Sequence, residues 1–197
     1  MLKKISLVVF LFLWFVLTNA IGETQESYIN NEWGFRVSIP KGWYVTEAST
    51  ILQSLESQQN ISSEALTAIK NSGLVINISE YPFASKVGFN PNLNISAKNI
   101  SIEPKPSSDK EILNFAKQIL SSMFTGREHG FQEVSINGFV GINSSYKYLT
   151  KDNVEIKNEI VILIDKDKNN YFIATFGYKD KEYIDIFKRC IESFNKL

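Results

Sequence analysis

The sequence contains little of the side-chain chemistry that disulfides and metal centres require. Of its 197 residues, one is a cysteine, Cys190, and one is a histidine, His129. A single cysteine excludes an internal disulfide, and one cysteine with one histidine cannot build a His/Cys zinc cluster. The fold must therefore be stabilised by its apolar core, and we expect the thiol of Cys190 to be buried there as a small apolar group.

Several motifs that accompany enzymatic chemistry are also missing. The chain has no Gly-x-x-x-x-Gly-Lys and no Gly-x-Gly-x-x-Gly to cradle nucleotide phosphates, and no Gly-x-Ser-x-Gly elbow for a nucleophilic serine. A catalytic triad would have to use His129, whose neighbours Arg127, Glu128 and Gly130 are typical of a solvated connection. The sequence therefore predicts no catalytic residue, no cofactor and no enzymatic activity.

The segment Asp165–Asn170 imitates the start of a calcium loop, because aspartate and asparagine recur at alternate positions. Such a loop needs glycine at its sixth position and glutamate at its twelfth, whereas this chain has Asn170 and Phe176 there. A solvated hairpin turn explains the segment better, so we predict no metal site.

Neither sign of charge predominates, since 21 basic residues balance 21 acidic residues. Removal of residues 1–20 would take away Lys3 and Lys4 and leave 19 basic against 21 acidic residues, a formal charge of −2. A nearly neutral surface argues against nucleic acid or an anionic membrane as the main partner.

The first 20 residues are typical of a bacterial export signal rather than of a folded domain. Lys3 and Lys4 precede an apolar run over Ile5–Leu17, and cleavage could follow Ala20 or Gly22. The run has 13 residues, fewer than the roughly 20 that a membrane-spanning helix needs. We predict a signal peptide at 1–20, a short extension at 21–27, a single domain at 28–197 and a periplasmic or extracellular location. An uncleaved N-terminal anchor is the alternative.

Five Asn-x-Ser/Thr sequons occur, and a composition rich in Asn, Ile and Ser explains them better than glycosylation does. A bacterial origin of the leader would make them irrelevant. The five asparagines are Asn60, Asn77, Asn94, Asn99 and Asn143.

The stretch Trp33–Trp43 reads as a half-buried strand followed by a tight turn. Phe35, Val37 and Ile39 alternate with polar residues and should share one face of an antiparallel sheet that helices cover. Pro40 ends the strand, because proline cannot donate to a sheet ladder. Trp43 follows the turn, either as a core anchor, which we favour, or as an exposed aromatic ring that grips a ligand.

The remaining pattern predicts alternating strands and helices. Ser108 and Glu111 form a capping box before a helical apolar stripe, and a second helix is capped near Ser62 or Ser63 and ends at Gly73. Asn137-Gly138 predicts a two-residue hairpin, and Val154–Ile164 predicts a central strand that is apolar on both faces. Asp180 is expected to cap the last helix. The sum is an α+β fold with about seven mostly antiparallel strands and helices on both faces.

Four segments of the chain carry a family resemblance: Gly34–Trp43, Gly88–Asn94, Ile136–Gly138 and Ile191–Phe194. They resemble the PsbP-like family, which includes extrinsic subunits of photosystem II, exported bacterial proteins and a Ran-binding nuclear protein. The resemblance implies an antiparallel sheet between helices that serves as a protein-binding module without shared catalytic residues. The extended basic N-terminal arm of the photosystem subunits has no counterpart in Gly22–Ser27, which argues against a photosystem role.

Two functions from different classes follow from the sequence. We favour an exported, non-enzymatic module that binds another protein, with no binding surface identified. The alternative is a small-ligand-binding protein or hydrolase that uses His129 with Glu128 or Glu133. An aromatic patch of Tyr146, Lys147 and Tyr148 with Tyr178 is conceivable, although tyrosines that alternate on a sheet face more often pack under a helix.

Overall fold

A computed structural model describes residues 26–57, 61–83, 85, 89–124, 130–149 and 153–197. These ranges contain ten strands and four helices. The strands are β1 (Ser27–Asn30), β2 (Phe35–Ser38), β3 (Tyr44–Glu47), β4 (Leu74–Ser79), β5 (Asn92–Asn99), β6 (Gln132–Ile136), β7 (Phe139–Leu149), β8 (Glu155–Asp165), β9 (Asn170–Tyr178) and β10 (Asn195–Lys196). The helices are α1 (Ala48–Glu56), α2 (Ser63–Asn71), α3 (Asp109–Met123) and α4 (Tyr183–Glu192). The signal peptide predicted at 1–20 lies outside the described residues.

Seven strands form the main sheet, in the order β3-β4-β5-β9-β8-β7-β6, and every neighbouring pair is antiparallel. The hairpin predicted at Asn137-Gly138 is confirmed, since both residues have positive φ, 47° and 85°. Two further hairpin turns place Asn153 and Asn169 in the same left-handed region, which asparagine tolerates. Consecutive hairpins therefore produce the antiparallel α+β architecture that the pattern predicted.

Helices cover both faces of the main sheet. On one face, α3 buries Ile112, Ala116 and Leu120 against a run of isoleucines in β7 and β8. On the other face, α4 and β2 pack on the alternate residues of β8, such as Val161 and Leu163, and on β9. The prediction that β8 is buried on both sides is confirmed.

Helix starts follow local rules where a capping side chain is present. The capping box at Ser108 and Glu111 is confirmed, and Ser62 caps α2 by accepting a hydrogen bond from the backbone of Ala65 at 3.2 Å. The prediction that Asp180 caps the last helix was wrong. Its backbone carbonyl accepts from Tyr183 in a tight turn, and α4 begins at Tyr183 without a side-chain cap.

A second, three-stranded sheet with the order β1-β2-β10 was not separated from the main sheet by the sequence pattern. It contains the predicted strand at Phe35, whose side chain is fully buried together with Val37 as expected. The C-terminal strand β10 pairs with β2 and returns Phe194 to the core. Strands β1 and β2 therefore form one small sheet with β10, which is distant from them in the sequence.

Two of the sequon asparagines pair with each other across neighbouring strands. Asn77 of β4 is buried and lies opposite Asn94 of β5, and their side chains are joined by a 2.9 Å hydrogen bond. In the part of the chain that the structure describes, no helix has the length and apolar character required to cross a bilayer.

Candidate functional site

The residues proposed for the alternative function fall largely outside the described part of the chain. His129 and Glu128 lie there, so the hydrolase hypothesis is not tested by the geometry. Glu133 is described in edge strand β6, where its Oε1 lies 3.7 Å from Nζ of Lys117 in a solvent-exposed ion pair. Glu133 therefore contributes to surface charge at the rim of the sheet.

The calcium-like segment holds a lysine ammonium group where a cation would be expected. Nζ of Lys196 lies 2.8 Å from Oδ1 of Asp165 and 2.8 Å from Oδ2 of Asp167. The side chain of Asp165 is only 1% exposed, and its Oδ2 has no hydrogen-bond partner among the residues that the structure describes. The described ranges contain no group of three or more His, Cys, Asp or Glu side chains that could hold a metal. Asp165 and Asp167 of this segment therefore form ion pairs with Lys196 of β10.

Cys190 is buried in α4, as expected for the lone thiol. Burial raises the pKa of its thiol to about 12, although the positive charge of Arg189 acts in the opposite direction. Because the thiolate is the reactive form, the native protein should resist alkylation at pH 8.

We predict that iodoacetamide at pH 8 modifies Cys190 at least about 100-fold more slowly in the native protein than in urea. Mass spectrometry of timed samples measures both rates, and the single cysteine makes each adduct unambiguous. Comparable rates in the two conditions would contradict a buried, protonated thiol.

The tyrosines of the suggested aromatic patch lie on opposite faces of the sheet, so that patch does not exist. Tyr146 and Tyr148 point to the α3 face, where the ring of Tyr146 packs 4.8 Å from that of Phe124. Tyr178 points to the α4 face and is buried against Phe176. The packing interpretation is correct for Tyr146 and Tyr178, whereas Tyr148 is exposed.

A groove of about 920 Å³ lies between the β2–β3 turn and α4. Its turn is held by a hydrogen bond from the backbone of Trp43 to the carbonyl of Pro40 at 3.0 Å. Gly42 has a φ of 77° there, a conformation that side-chain-bearing residues rarely adopt. This turn determines the direction in which the two following aromatic residues project.

Trp43 packs against the core, as the favoured interpretation predicts. The centre of its ring lies 6.3 Å from the ring centre of Phe176 and 6.3 Å from that of Tyr183. The residue also lines the groove, and the adjacent Tyr44 lines it with 48% of its surface exposed. Trp43 is therefore a rigid wall of the groove, and Tyr44 is a more accessible aromatic contact.

The helix side of the groove combines an apolar residue with a positive charge. Ile186 and Arg189 are three residues apart on α4 and therefore share one face of the helix. Lys41 adds a second cation from the turn, and Glu26 contributes the acidic group. The groove can accept an extended segment that carries both apolar and acidic side chains.

Neither Tyr44 nor Arg189 was predicted from the sequence to be a site residue. Arg189 lies at an exposed position of α4 between the buried residues Phe187 and Cys190. Tyr44 begins a four-residue strand that the pattern did not predict. Tyr44 could have been found from the sequence, because it directly follows the predicted Pro-Lys-Gly-Trp turn. The position of Arg189 beside the groove is visible only in the tertiary structure.

Comparison with known proteins yields structural neighbours only. No protein-family model matches the chain, and no curated protein matches its sequence. The solution structure of the cyanobacterial PsbP (CyanoP) from Synechocystis sp. PCC 6803 is 14% identical, with a TM-score of 0.50 over 90% of this chain and 95% of that one.

A crystal structure from Bacteroides thetaiotaomicron VPI-5482 is 13% identical, with a TM-score of 0.52 over 88% of this chain. The present chain covers 48% of that protein, about half of its length. LpqN of Mycobacterium tuberculosis, described as involved in cell envelope biogenesis, is 14% identical with a TM-score of 0.46, over 89% of this chain and 86% of LpqN. Similarity at this level of identity concerns architecture alone. The resemblance seen in the sequence is thus confirmed for the fold, and the chain has a PsbP-like α+β fold.

Proposed function

We propose that this protein is an exported, non-enzymatic module that binds a segment of another protein in the groove between the β2–β3 turn and α4. The observation that carries the proposal is the combination of aromatic walls and cations around one open groove. Aromatic residues and arginine are the side chains that most often supply binding energy at protein interfaces. Here Trp43, Tyr44 and Arg189 occur together.

The groove favours a particular kind of partner segment. The described residues that line the groove include two cations, Lys41 and Arg189, and one acid, Glu26, so an acidic side chain or a chain-terminal carboxylate is electrostatically complementary. Ile39 and Ile186 line the groove with apolar surface that suits an aliphatic or aromatic side chain of the partner. The partner segment is therefore acidic and partly apolar, and it binds in an extended conformation.

Export is proposed from the sequence of residues 1–20, with its two lysines and its apolar run. A lone, buried cysteine suits an oxidising compartment, since no exposed thiol is available for mispairing. The partner is therefore expected among proteins of the periplasm, cell envelope or cell exterior.

The test places a photo-crosslinking amino acid at Tyr44 in the protein expressed in its own cells. Adducts are then compared between the otherwise unchanged chain and a chain that also carries Arg189→Glu. We expect an adduct with an acidic segment, and a synthetic peptide of that segment should bind about tenfold more weakly to the Arg189→Glu protein. Peptide binding is measured by fluorescence anisotropy.

The matched control is Lys110→Glu, a charge reversal at an exposed residue of α3 on the opposite face of the sheet. A glutamate near that helix start is compatible with the helix dipole, so the variant should fold. The groove is not the binding surface if Lys110→Glu weakens peptide binding as much as Arg189→Glu does. The same conclusion follows if no crosslinked adduct depends on Arg189.

A further inference from the structure

A second pocket lies on the other side of α4. It has a volume of about 510 Å³ and lies between that helix and strands β6, β7 and β8. Ile184, Phe187 and Lys188 face it, whereas Ile186 and Arg189 face the groove described above. Residues three and four apart share a helix face, so one helix serves two separate cavities.

The sheet contributes two acceptor side chains to the same pocket. Glu159 of β8 lies directly opposite Ser145 of β7, and Asn143 lies two residues along β7, so both project from the same face. Both Glu159 and Asn143 line the pocket. Neighbours in this diagonal arrangement are close enough to contact one small molecule together.

One of the two acceptors has an oxygen that is both unpaired and accessible. Oε1 of Glu159 accepts a hydrogen bond from the hydroxyl of Tyr178 at 3.2 Å, and Oε2 has no partner among the described residues. Oδ1 of Asn143 also lacks a partner there, but it has almost no accessible surface, so a molecule in the pocket does not reach it. A carboxylate oxygen without a partner accepts strong, charge-assisted hydrogen bonds, so Oε2 of Glu159 is the acceptor available to a ligand.

The pocket also contains opposite charges that do not meet. Burial raises the pKa of the Glu159 carboxyl, while the Tyr178 hydrogen bond and the positive charge of Lys188 lower it by smaller amounts. Lys188 is exposed at the rim and forms no ion pair in the described ranges, although its charge reaches Glu159. The carboxylate of Glu159 and the ammonium group of Lys188 therefore line the same pocket without forming an ion pair with each other.

We propose that this pocket binds a small zwitterion of the α-amino acid type. The ligand's ammonium group donates to Oε2 of Glu159, and its carboxylate pairs with Nζ of Lys188. A simple amine would leave Lys188 unpaired and would be repelled by it, and a neutral polyol would leave both charges of the pocket without counter-charges. Only a molecule with both charges complements the pocket.

The experiment screens the protein amino acids singly against the purified protein by NMR, following amide signals of Gly130, Ser145 and Lys188. We expect saturable shifts with a dissociation constant on the order of 0.1–1 mM for the best ligand. Its decarboxylated amine, and glycerol as a neutral probe, should bind at least about tenfold more weakly. These comparisons use the unaltered protein, so they do not depend on any variant folding.

Two substitutions then assign the contacts. Glu159→Gln and Lys188→Gln should each weaken binding of the amino acid by about tenfold. The control Lys181→Gln, at an exposed position just before α4, should leave the binding affinity unchanged. The proposal is overturned if no amino acid gives a saturable shift, if the amine binds as well, or if Lys188→Gln has no effect. The proposed protein-binding function stands independently, because its variant, Arg189→Glu, lies in the other cavity.

Discussion

Replacement of Phe194 by alanine is expected to lower the free energy of unfolding by about 3–5 kcal/mol, the range for aromatic residues removed from a close-packed core. The ring is 1% exposed and stacks 4.9 Å from Phe35 of the smaller sheet. It also contacts Phe172 at 5.1 Å and Phe139 at 5.2 Å in the main sheet. Phe194 thus joins both sheets, and an alanine would leave a cavity among three rings that cannot collapse independently.

Urea unfolding followed by circular dichroism measures this loss. A change of midpoint with an unchanged slope would show that stability alone has changed. The control is Phe131→Ala, since Phe131 is 42% exposed and should cost less than about 1 kcal/mol. Equal losses in the two variants would mean that Phe194 is not the central contact between the sheets.

Replacement of Lys196 by methionine is expected to destabilise the protein by about 2–3 kcal/mol, because it leaves the carboxylate of Asp165 buried without a counter-charge. The value lies below that of a fully buried pair because the side chain of Lys196 is 24% exposed. Its ammonium group also lies 5.2 Å from the centre of the Phe139 ring, a cation–π contact that methionine cannot make. The melting temperature should fall by about 4–12 °C for a domain of this size.

Two further variants separate the ion pair from simple packing. Asp165→Asn in the Lys196→Met background should recover part of the loss, because the amide removes the unpaired buried charge. Lys147→Met breaks the ion pair with Glu155, whose nitrogen and oxygen are 3.2 Å apart and largely exposed, and should cost less than about 1 kcal/mol. An equal effect at Lys147 and Lys196 would disprove the special role of the buried carboxylate.

The same ion pair determines a pH dependence with a definite sign. Burial alone would lower the pKa of the Lys196 ammonium group, but hydrogen bonds from it to Asp165 and Asp167 and their charges raise it above its ordinary value of 10.5. A raised pKa in the folded state contributes stability that is complete below pH 10.5 and is lost as pH rises through the folded value. The difference in the free energy of unfolding between the original and the Lys196→Met proteins should therefore shrink as the pH rises from 9 to 12. Unfolding curves recorded at intervals over this range measure it.

Local structure followed directly from the sequence where one short segment contains all the determinants. The capping box at Ser108 and Glu111 is complete within four residues, and Asn137-Gly138 needs only two residues with positive φ. The strand Glu155–Asp165 was recognised because its apolar residues occupy both alternating sets. From such elements the antiparallel α+β class could be predicted, whereas the PsbP-like resemblance came from four motif segments such as Gly34–Trp43.

Other elements were not recoverable from local patterns. Strand β3 has no alternation of apolar and polar residues, and β10 has only two residues. Both strands exist because β4 and β2 supply their hydrogen-bond partners. The two cavities beside α4 likewise depend on which faces of that helix meet the turn at Trp43 and the carboxylate of Glu159. The spacing of residues along the sequence does not show which helix face meets which residue of the sheet or turn.

The sequence by itself determined the layers of this protein, since alternation of apolar residues with period 2 or 3.6 sets which face of each element is buried. Only the tertiary structure decided which distant residues meet: Lys196 with Asp165, Phe194 with Phe35, and Arg189 with Trp43 across one groove. The physical reason is that side-chain alternation is a property of neighbours along the chain. The pairing of strand edges and helix faces is selected by the packing of the whole core.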